Sequence, residues 1–392
     1  MCEPAPSTSP APEAGKRLAY SQTPADWTAW LAEKDIPRFR AKQLWHELYV
    51  RRAATWGDMA TLPIWLREKL AADFDLEALR VEEEAESSDG VRKLLLACRD
   101  GQRIETVLIP ARDGRRTVCV SSQVGCAFGC AFCASGQGGC VRSLESGEIV
   151  AQAIAVARLL APANERISNV VVMGMGEPMA NYDAVLAALR TLNDPDGLSI
   201  GARRITLSTC GVVPGIRRLA EEGLQFELSV SLHAPDNGLR SRLMPVNRRW
   251  PLEELLPACR EYTEATGRII TFEYTLVGGL NATPEHARRL AALLRGHKCR
   301  VNLIPLSPVE EFDGRVPSPR ECDEFQRILE AARIHATVRR SRGGKLAAAC
   351  GQLRKRAGSG PQAGRRPGAT APDKAGGRSS RPSRRNPRSP WN

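Results

Sequence analysis

The chain has 392 residues, 42% of them hydrophobic and 26% charged, a composition that fits a globular protein of two or three domains and excludes a wholly disordered one. Its longest apolar stretch, around 149–161, is interrupted by Gln152 and Arg158 and falls short of the ~20 residues of a spanning helix, so no membrane segment is expected. The formal net charge of +12 is concentrated at one end, because residues 351–392 hold 11 Lys/Arg and one acid.

The first 17 residues mix Pro, Ser and Ala, lack the basic start and apolar run of a secretory signal, and are expected to be disordered in a cytoplasmic protein. Twelve cysteines in that reducing compartment favour metal or catalytic roles over stable disulfides. Residues 18–85 read as a small helical domain. Thr23 can cap a helix that begins at Pro24, with Asp26 suited to its first turn, before Trp27, Trp30 and Leu31. In a second helix Leu44, Trp45, Leu48 and Tyr49 form one apolar stripe, with Arg40, Lys42, Arg51 and Arg52 nearby. Core packing explains the stripe; RNA contact through the basic residues is the alternative.

From 91 to 123 the pattern becomes a meander of short strands (93–98, 104–109 and 117–121), separated by Asp-Gly pairs at 100–101 and 113–114. Beyond it, strands and helices alternate. Strands are expected to begin near Asn169, Arg204, Phe226, Ile269, Arg300 and Ala336, and helices over 146–160, 183–192, 252–263, 284–294 and 320–332. Such repetition predicts a parallel sheet or barrel whose site lies at the C-terminal strand ends. The last segment, 355–392, is rich in Gly, Pro, Ser and Arg and reads as a disordered basic arm, able to attract phosphates or merely solvated.

Between a strand and a helix stands a CxxxCxxC loop made by Cys126, Cys130 and Cys133. Three thiolates suit an iron–sulfur cluster with one iron open to another ligand. Zinc is the competing reading, although it would want a fourth ligand. One βα unit later a strand runs into Gly174, Gly176 and Glu177, where glycines permit close approach and a carboxylate at a strand end can hold an ammonium group.

Together with the stretches at 39–43, 103–107, 119–126, 169–178, 205–211, 229–235, 272–274, 301–305 and 349–353, these motifs resemble the RlmN/Cfr family of radical S-adenosylmethionine (SAM) RNA adenine methyltransferases, over about residues 18–354. The resemblance implies an α/β fold, a partial (β/α)6-type radical SAM barrel over 86–354 that includes leading strands, with the helical domain at 18–85 acting as an RNA-binding accessory. It implies that Cys126, Cys130 and Cys133 ligate one 4Fe-4S cluster. By the same resemblance, Gly176, Glu177, Ser208, Ser231, Leu232, His233 and Asn302 bind S-adenosyl-L-methionine, of which two are consumed per turnover. Cys140 lies outside the ligand spacing.

Cys350, Cys119 and Glu105 fall on the family's catalytic positions. Carbon 2 of adenine is electrophilic and cannot attack a methyl cation donor, whereas a thiolate can. The resemblance therefore implies that Cys350 becomes S-methylcysteine and that a radical formed from a second SAM takes hydrogen from that methyl group. The resulting thiomethylene adds to adenine. Cys119 then releases the RNA by forming a disulfide with Cys350 while Glu105 accepts the proton. The implied partners are 23S rRNA, tRNA with an adenine in its anticodon loop, and an electron donor such as flavodoxin or ferredoxin. Carbon-8 methylation of the same rRNA adenine is the rival within the family. A zinc-stabilised RNA-binding protein without turnover is the rival outside it.

Overall fold

The computed structural model describes residues 15–309 and 312–339, so Cys350 and the basic arm lie outside the described residues. The N-terminal part carries β1 (Arg17–Leu18), α1 (Pro24–Ala32), α2 (Phe39–His46), α3 (Ile64–Asp73) and β2 (Phe74–Asp75). Thr23 caps α1 as expected, its hydroxyl accepting from the Asp26 amide at 3.2 Å while the Asp26 carboxylate accepts from the Thr23 amide at 2.8 Å. Trp27 and Trp30 close on Phe74, with ring centroids 4.5 and 5.4 Å away. The stripe of Leu44, Trp45, Leu48 and Tyr49 is fully in the core. This part is docked onto the rest through Arg158, whose Nε donates to the Arg52 carbonyl at 3.0 Å, and through Ser21, whose Oγ accepts from the Gly147 amide at 3.0 Å.

The expected meander is present as β4 (Arg92–Cys98), β5 (Arg103–Pro110) and β6 (Arg116–Cys119), preceded by an additional strand, β3 (Leu79–Glu86). β3 lies in the segment read as helical, and its four glutamates conceal it from a hydrophobic pattern. It is an edge strand, where charge is tolerated and guards against pairing with other chains. A small hairpin of β7 (Gln123–Gly125) and β8 (Cys140–Ser143) follows, with the cysteine loop between its arms.

Then come α4 (Ser146–Leu160), β9 (Asn169–Val172), α5 (Tyr182–Asn193), β10 (Ile205–Thr209), α6 (Val213–Glu221), β11 (Glu227–Ser231), α7 (Asn237–Leu243) and α8 (Leu252–Thr266). The chain continues through β12 (Ile270–Leu276), α9 (Pro284–Leu293), β13 (Cys299–Pro305), α10 (Pro319–Ala331) and β14 (His335–Val338). The ten-stranded sheet has the order β14-β13-β12-β11-β10-β9-β6-β5-β4-β3. Its parallel part begins at β6, because Cys119 pairs in parallel with Val171 of β9. Six βα units thus run from β6 to α10, and β14 closes the series. Among the described residues no helix is long and apolar enough to cross a membrane.

Strand register decides what each face carries. On one face Val118, Val170, Leu207, Leu228, Val230, Phe272, Tyr274, Val301 and Leu303 are buried. The helices cover this face, with Tyr274 packed on Phe325 of α10 and Thr106 bonded to Gln152 of α4. The alternate residues point the other way. They form polar rows: Ser208, Ser229 and Thr271 in one, and Ser231, Glu273, Asn302 and Thr337 in the next. A parallel sheet with a polar inner face is built to receive a ligand there.

Candidate active site

The cysteine loop leaves β7 and returns to β8, pinned at its base by the Cys126 amide donating to the Gly139 carbonyl at 2.8 Å. Inside it the Cys133 amide donates to the Cys130 carbonyl at 3.1 Å, and the Ala131 amide donates to the Leu243 carbonyl of α7 at 2.9 Å. Burial pushes the Cys130 thiol well up; the neighbouring Cys133 and Cys126 and the Glu177 carboxylate push in the same direction, and Arg240 opposes them. The three thiols therefore share one field, although among the described residues no three side chains close into a finished metal triad. A donor set of this kind fits an iron–sulfur cluster, since a bound cation removes the mutual repulsion of the thiolates. Cys140 stands on β8 opposite Gly125 rather than in the loop.

The segment after β6 lies tightly against the segment after β9. The Gly174 amide donates to the Val120 carbonyl at 3.1 Å, and the Ser122 amide donates to the Met175 carbonyl at 2.8 Å. A Cβ on Gly174 would stand 2.7 Å from the Val120 oxygen, and one on Gly176, which also has φ +102°, would stand 2.7 Å from the Gln123 nitrogen. These glycines are required by the contact between the two segments, a role the sequence reading did not assign them.

Gln123 in turn accepts the Glu177 amide on its Oε1 at 2.9 Å. The buried Glu177 carboxylate accepts the Met179 amide at 3.0 Å and the Cys210 amide at 2.7 Å, tying the end of β9 to the end of β10. Burial raises its pKa, and those amide hydrogen bonds oppose the rise.

Ser231 ends β11; Leu232 and His233 follow it into the interior, and Ser208 sits one row below on β10. His233 takes φ +57°. Its Nδ1 accepts the Thr275 amide at 2.8 Å, which leaves the proton on Nε2. Burial, aided by the charge of Arg240, lowers its pKa to about 3, so the imidazole is neutral. The ring meets Phe132 of the cysteine loop edge to face at 4.7 Å.

Glu273, beside Ser231 in register, is 4% exposed. Its Oε1 accepts from Asn302 Nδ2 at 2.9 Å, while its Oε2 is buried without a hydrogen-bond partner among the described residues. Burial raises its pKa and the Asn302 bond opposes the rise. The sequence signal for it was a lone carboxylate in an otherwise uncharged strand.

At the start of the parallel sheet, Cys119 is buried and opposite Val107 of β5. Glu105 is two residues along on the same face, a diagonal neighbour of Cys119. Its carboxylate pairs with Lys93 of β4 at 3.2 Å, both side chains being buried. Its carbonyl accepts from Ser121 Oγ at 2.6 Å, which fixes the segment just past Cys119. The structure thus brings Cys119 and Glu105 together at one end of the polar face. It carries the cysteine loop after β7, Glu177 after β9, Ser231 and His233 at the end of β11, and Asn302 within β13 in the row of Ser231, while Cys350 lies outside the described residues. Lys93 and the buried Arg240 of α7 were not singled out from sequence, where each looks like an ordinary surface cation.

Residues 120–294 match the Radical SAM superfamily. The chain is 52% identical over 329 residues to a protein of Symbiobacterium thermophilum named "Probable dual-specificity RNA methyltransferase RlmN", covering 83% of this chain and 88% of that one. A relative of the same name from Geobacillus kaustophilus is 48% identical, covering 86% and 92%. The crystal structure of a radical SAM methyltransferase from Sphaerobacter thermophilus superposes with a TM-score of 0.84 at 48% identity, over 86% of this chain and 98% of that one. Relatives of this identity span most of both chains and the superfamily match covers the cysteine loop and the strand ends around it, so the chain belongs to the RlmN family of radical S-adenosylmethionine RNA methyltransferases.

Proposed function

We propose that the protein methylates carbon 2 of an adenine in 23S rRNA and of an adenine in the tRNA anticodon loop, with Cys350 carrying the methyl group and Cys119 releasing the covalently bound RNA. The observation that supports this chemistry best is the placing of Cys119 diagonally across from Glu105 on the inner face, beside the strand ends that follow the cysteine loop. A thiol to resolve an adduct and a carboxylate to accept the ring proton are what release of a methylated base requires. Lys93 holds the Glu105 carboxylate at a fixed point, 3.2 Å from its ammonium.

The cluster, with Cys126, Cys130 and Cys133 as its ligands, and one SAM would supply the one-electron chemistry when bound, with flavodoxin or ferredoxin as electron source, and the other SAM of each turnover would supply the methyl group. The chain's own residues position that chemistry. Glu177 aligns the ends of β9 and β10, neutral His233 packs on the cysteine loop, and Ser208, Ser231, Leu232, Asn302 and Gly176 line the approach to SAM. The helical N-terminal domain and the basic arm contribute RNA affinity, and the protein works in the cytoplasm.

The test is anaerobic reconstitution followed by nucleoside mass spectrometry of treated rRNA and tRNA. 2-Methyladenosine in both is expected; 8-methyladenosine would overturn the carbon-2 assignment, and unmodified tRNA would overturn the second substrate.

Glu273 offers a buried acceptor between Ser231 and Asn302. A hydrogen bond to a charged acceptor contributes about 1.5–3 kcal/mol, so Glu273→Gln is expected to weaken SAM binding by roughly tenfold or more. Equilibrium dialysis against the holoprotein measures it; unchanged affinity would remove Glu273 from the cofactor site.

A further inference from the structure

Among the described residues Arg240 is the largest buried cation, with no exposed surface. Its guanidinium donates to four neutral acceptors: the carbonyls of Leu232 (3.3 Å), Cys210 (2.8 Å) and Ser231 (3.0 Å), and Oδ1 of Asn247 (2.8 Å). Among the described residues it forms no ion pair with a carboxylate, and burial pulls its pKa down to about 10. A buried charge without a counter-ion carries a heavy desolvation penalty, and hydrogen bonds to neutral carbonyls offset only part of it.

The surroundings point to the missing anion. Arg240 lies on α7, whose Leu243 carbonyl accepts the Ala131 amide between Cys130 and Cys133. Its Nη2 holds the Cys210 carbonyl, while the amide of the same residue goes to Glu177. The Cys130 thiol and the guanidinium act on each other electrostatically.

A 4Fe-4S core of charge 2+ with three thiolates carries a net charge of −1, and one added electron makes it −2. We propose that Arg240 is the counter-ion of the cluster, stabilising its reduced form above its oxidised form and so raising the potential at which the electron enters. The inference rests on Cys126, Cys130 and Cys133 being the cluster ligands. The competing account is a clamp that only gathers the ends of β10 and β11, and a clamp does not move a potential.

The experiment is an EPR-monitored redox titration of anaerobically reconstituted full-length protein, without RNA or SAM, for wild type, Arg240→Gln, Arg240→Lys and Asn247→Asp. Iron, sulfide and melting temperature are measured alongside. Arg240→Gln is expected to lower the reduction equilibrium constant at least tenfold, which is 59 mV for one electron. Arg240→Lys keeps the charge and stays near wild type. Asn247→Asp retains the guanidinium and places a carboxylate against it, so its potential also falls.

An unchanged potential in Arg240→Gln holding a full cluster overturns the proposal, as does an equal fall in Arg240→Lys. If Arg240→Gln does not fold, the other two decide, and an unchanged potential in Asn247→Asp overturns it. Wild-type protein that takes up no iron and sulfide would instead refute the ligand assignment beneath it.

Discussion

Replacing Cys126, Cys130 or Cys133 by alanine is expected to abolish the brown colour of anaerobically purified protein and to lower reductive cleavage of SAM by at least roughly a hundredfold, the upper range for losing even an outer-shell partner of a metal site. Cys140→Ala keeps both. The difference follows from position. The three thiols stand in one loop closed by the Cys126 to Gly139 and Cys133 to Cys130 backbone hydrogen bonds, and Cys133 and Cys126 both add to the cost of ionising Cys130. Cys140 belongs to the ladder of β8, opposite Gly125. Iron and sulfide analysis with absorption spectra of the four variants measures the outcome. Loss of the cluster in Cys140→Ala with retention in Cys133→Ala would reverse the assignment.

The two cysteines proposed to carry the methyl group and to release the RNA are expected to fail at different stages. Cys350→Ala removes the methyl acceptor, so neither methylated protein nor an RNA adduct forms. Cys119→Ala leaves the acceptor in place but removes the thiolate that resolves the adduct, so RNA accumulates covalently on Cys350 and turnover falls to the level of a single event. Glu105→Gln stalls near the same point, because release also needs loss of the ring proton. In that variant Lys93 loses the charge of its partner as well, so some loss of stability accompanies the stall, and breaking a buried pair costs about 3–5 kcal/mol. Denaturing gels of the RNA-bound variants, with mass spectrometry of the crosslinked peptide, separate the stages. Methylated adenine released by Cys119→Ala at the wild-type rate would rule out the resolving role, and a crosslink in Cys350→Ala would rule out the carrier role.

Much of the architecture was legible in the sequence, because its signals are local. Thr23 and Asp26 cap α1, Asp-Gly pairs end the strands of the meander, and the alternation of apolar runs with amphipathic stretches located the helices from α4 to α10 to within a few residues, apart from α6 and α7. The spacing of Cys126, Cys130 and Cys133 and the resemblance around them identified the family that the comparisons show. β3 escaped notice because an acidic edge strand has no apolar pattern, and its place is set by pairing with β4.

What only the tertiary structure decided is which residues share a space. Strand register, fixed by backbone pairing across units separated by tens of residues, put Ser231, Glu273 and Asn302 in one row and set Glu105 diagonally across from Cys119. The need for glycine at 174 and 176 arises from packed neighbours at 120–123, far earlier in the chain, so no local reading could assign it. The charges of Lys93 and Arg240 are visible in the sequence, but their burial is not. Burial is what turns an ordinary cation into one that demands an anion: for Lys93 the structure supplies Glu105, and for Arg240 it supplies neutral carbonyls beside the cysteine loop.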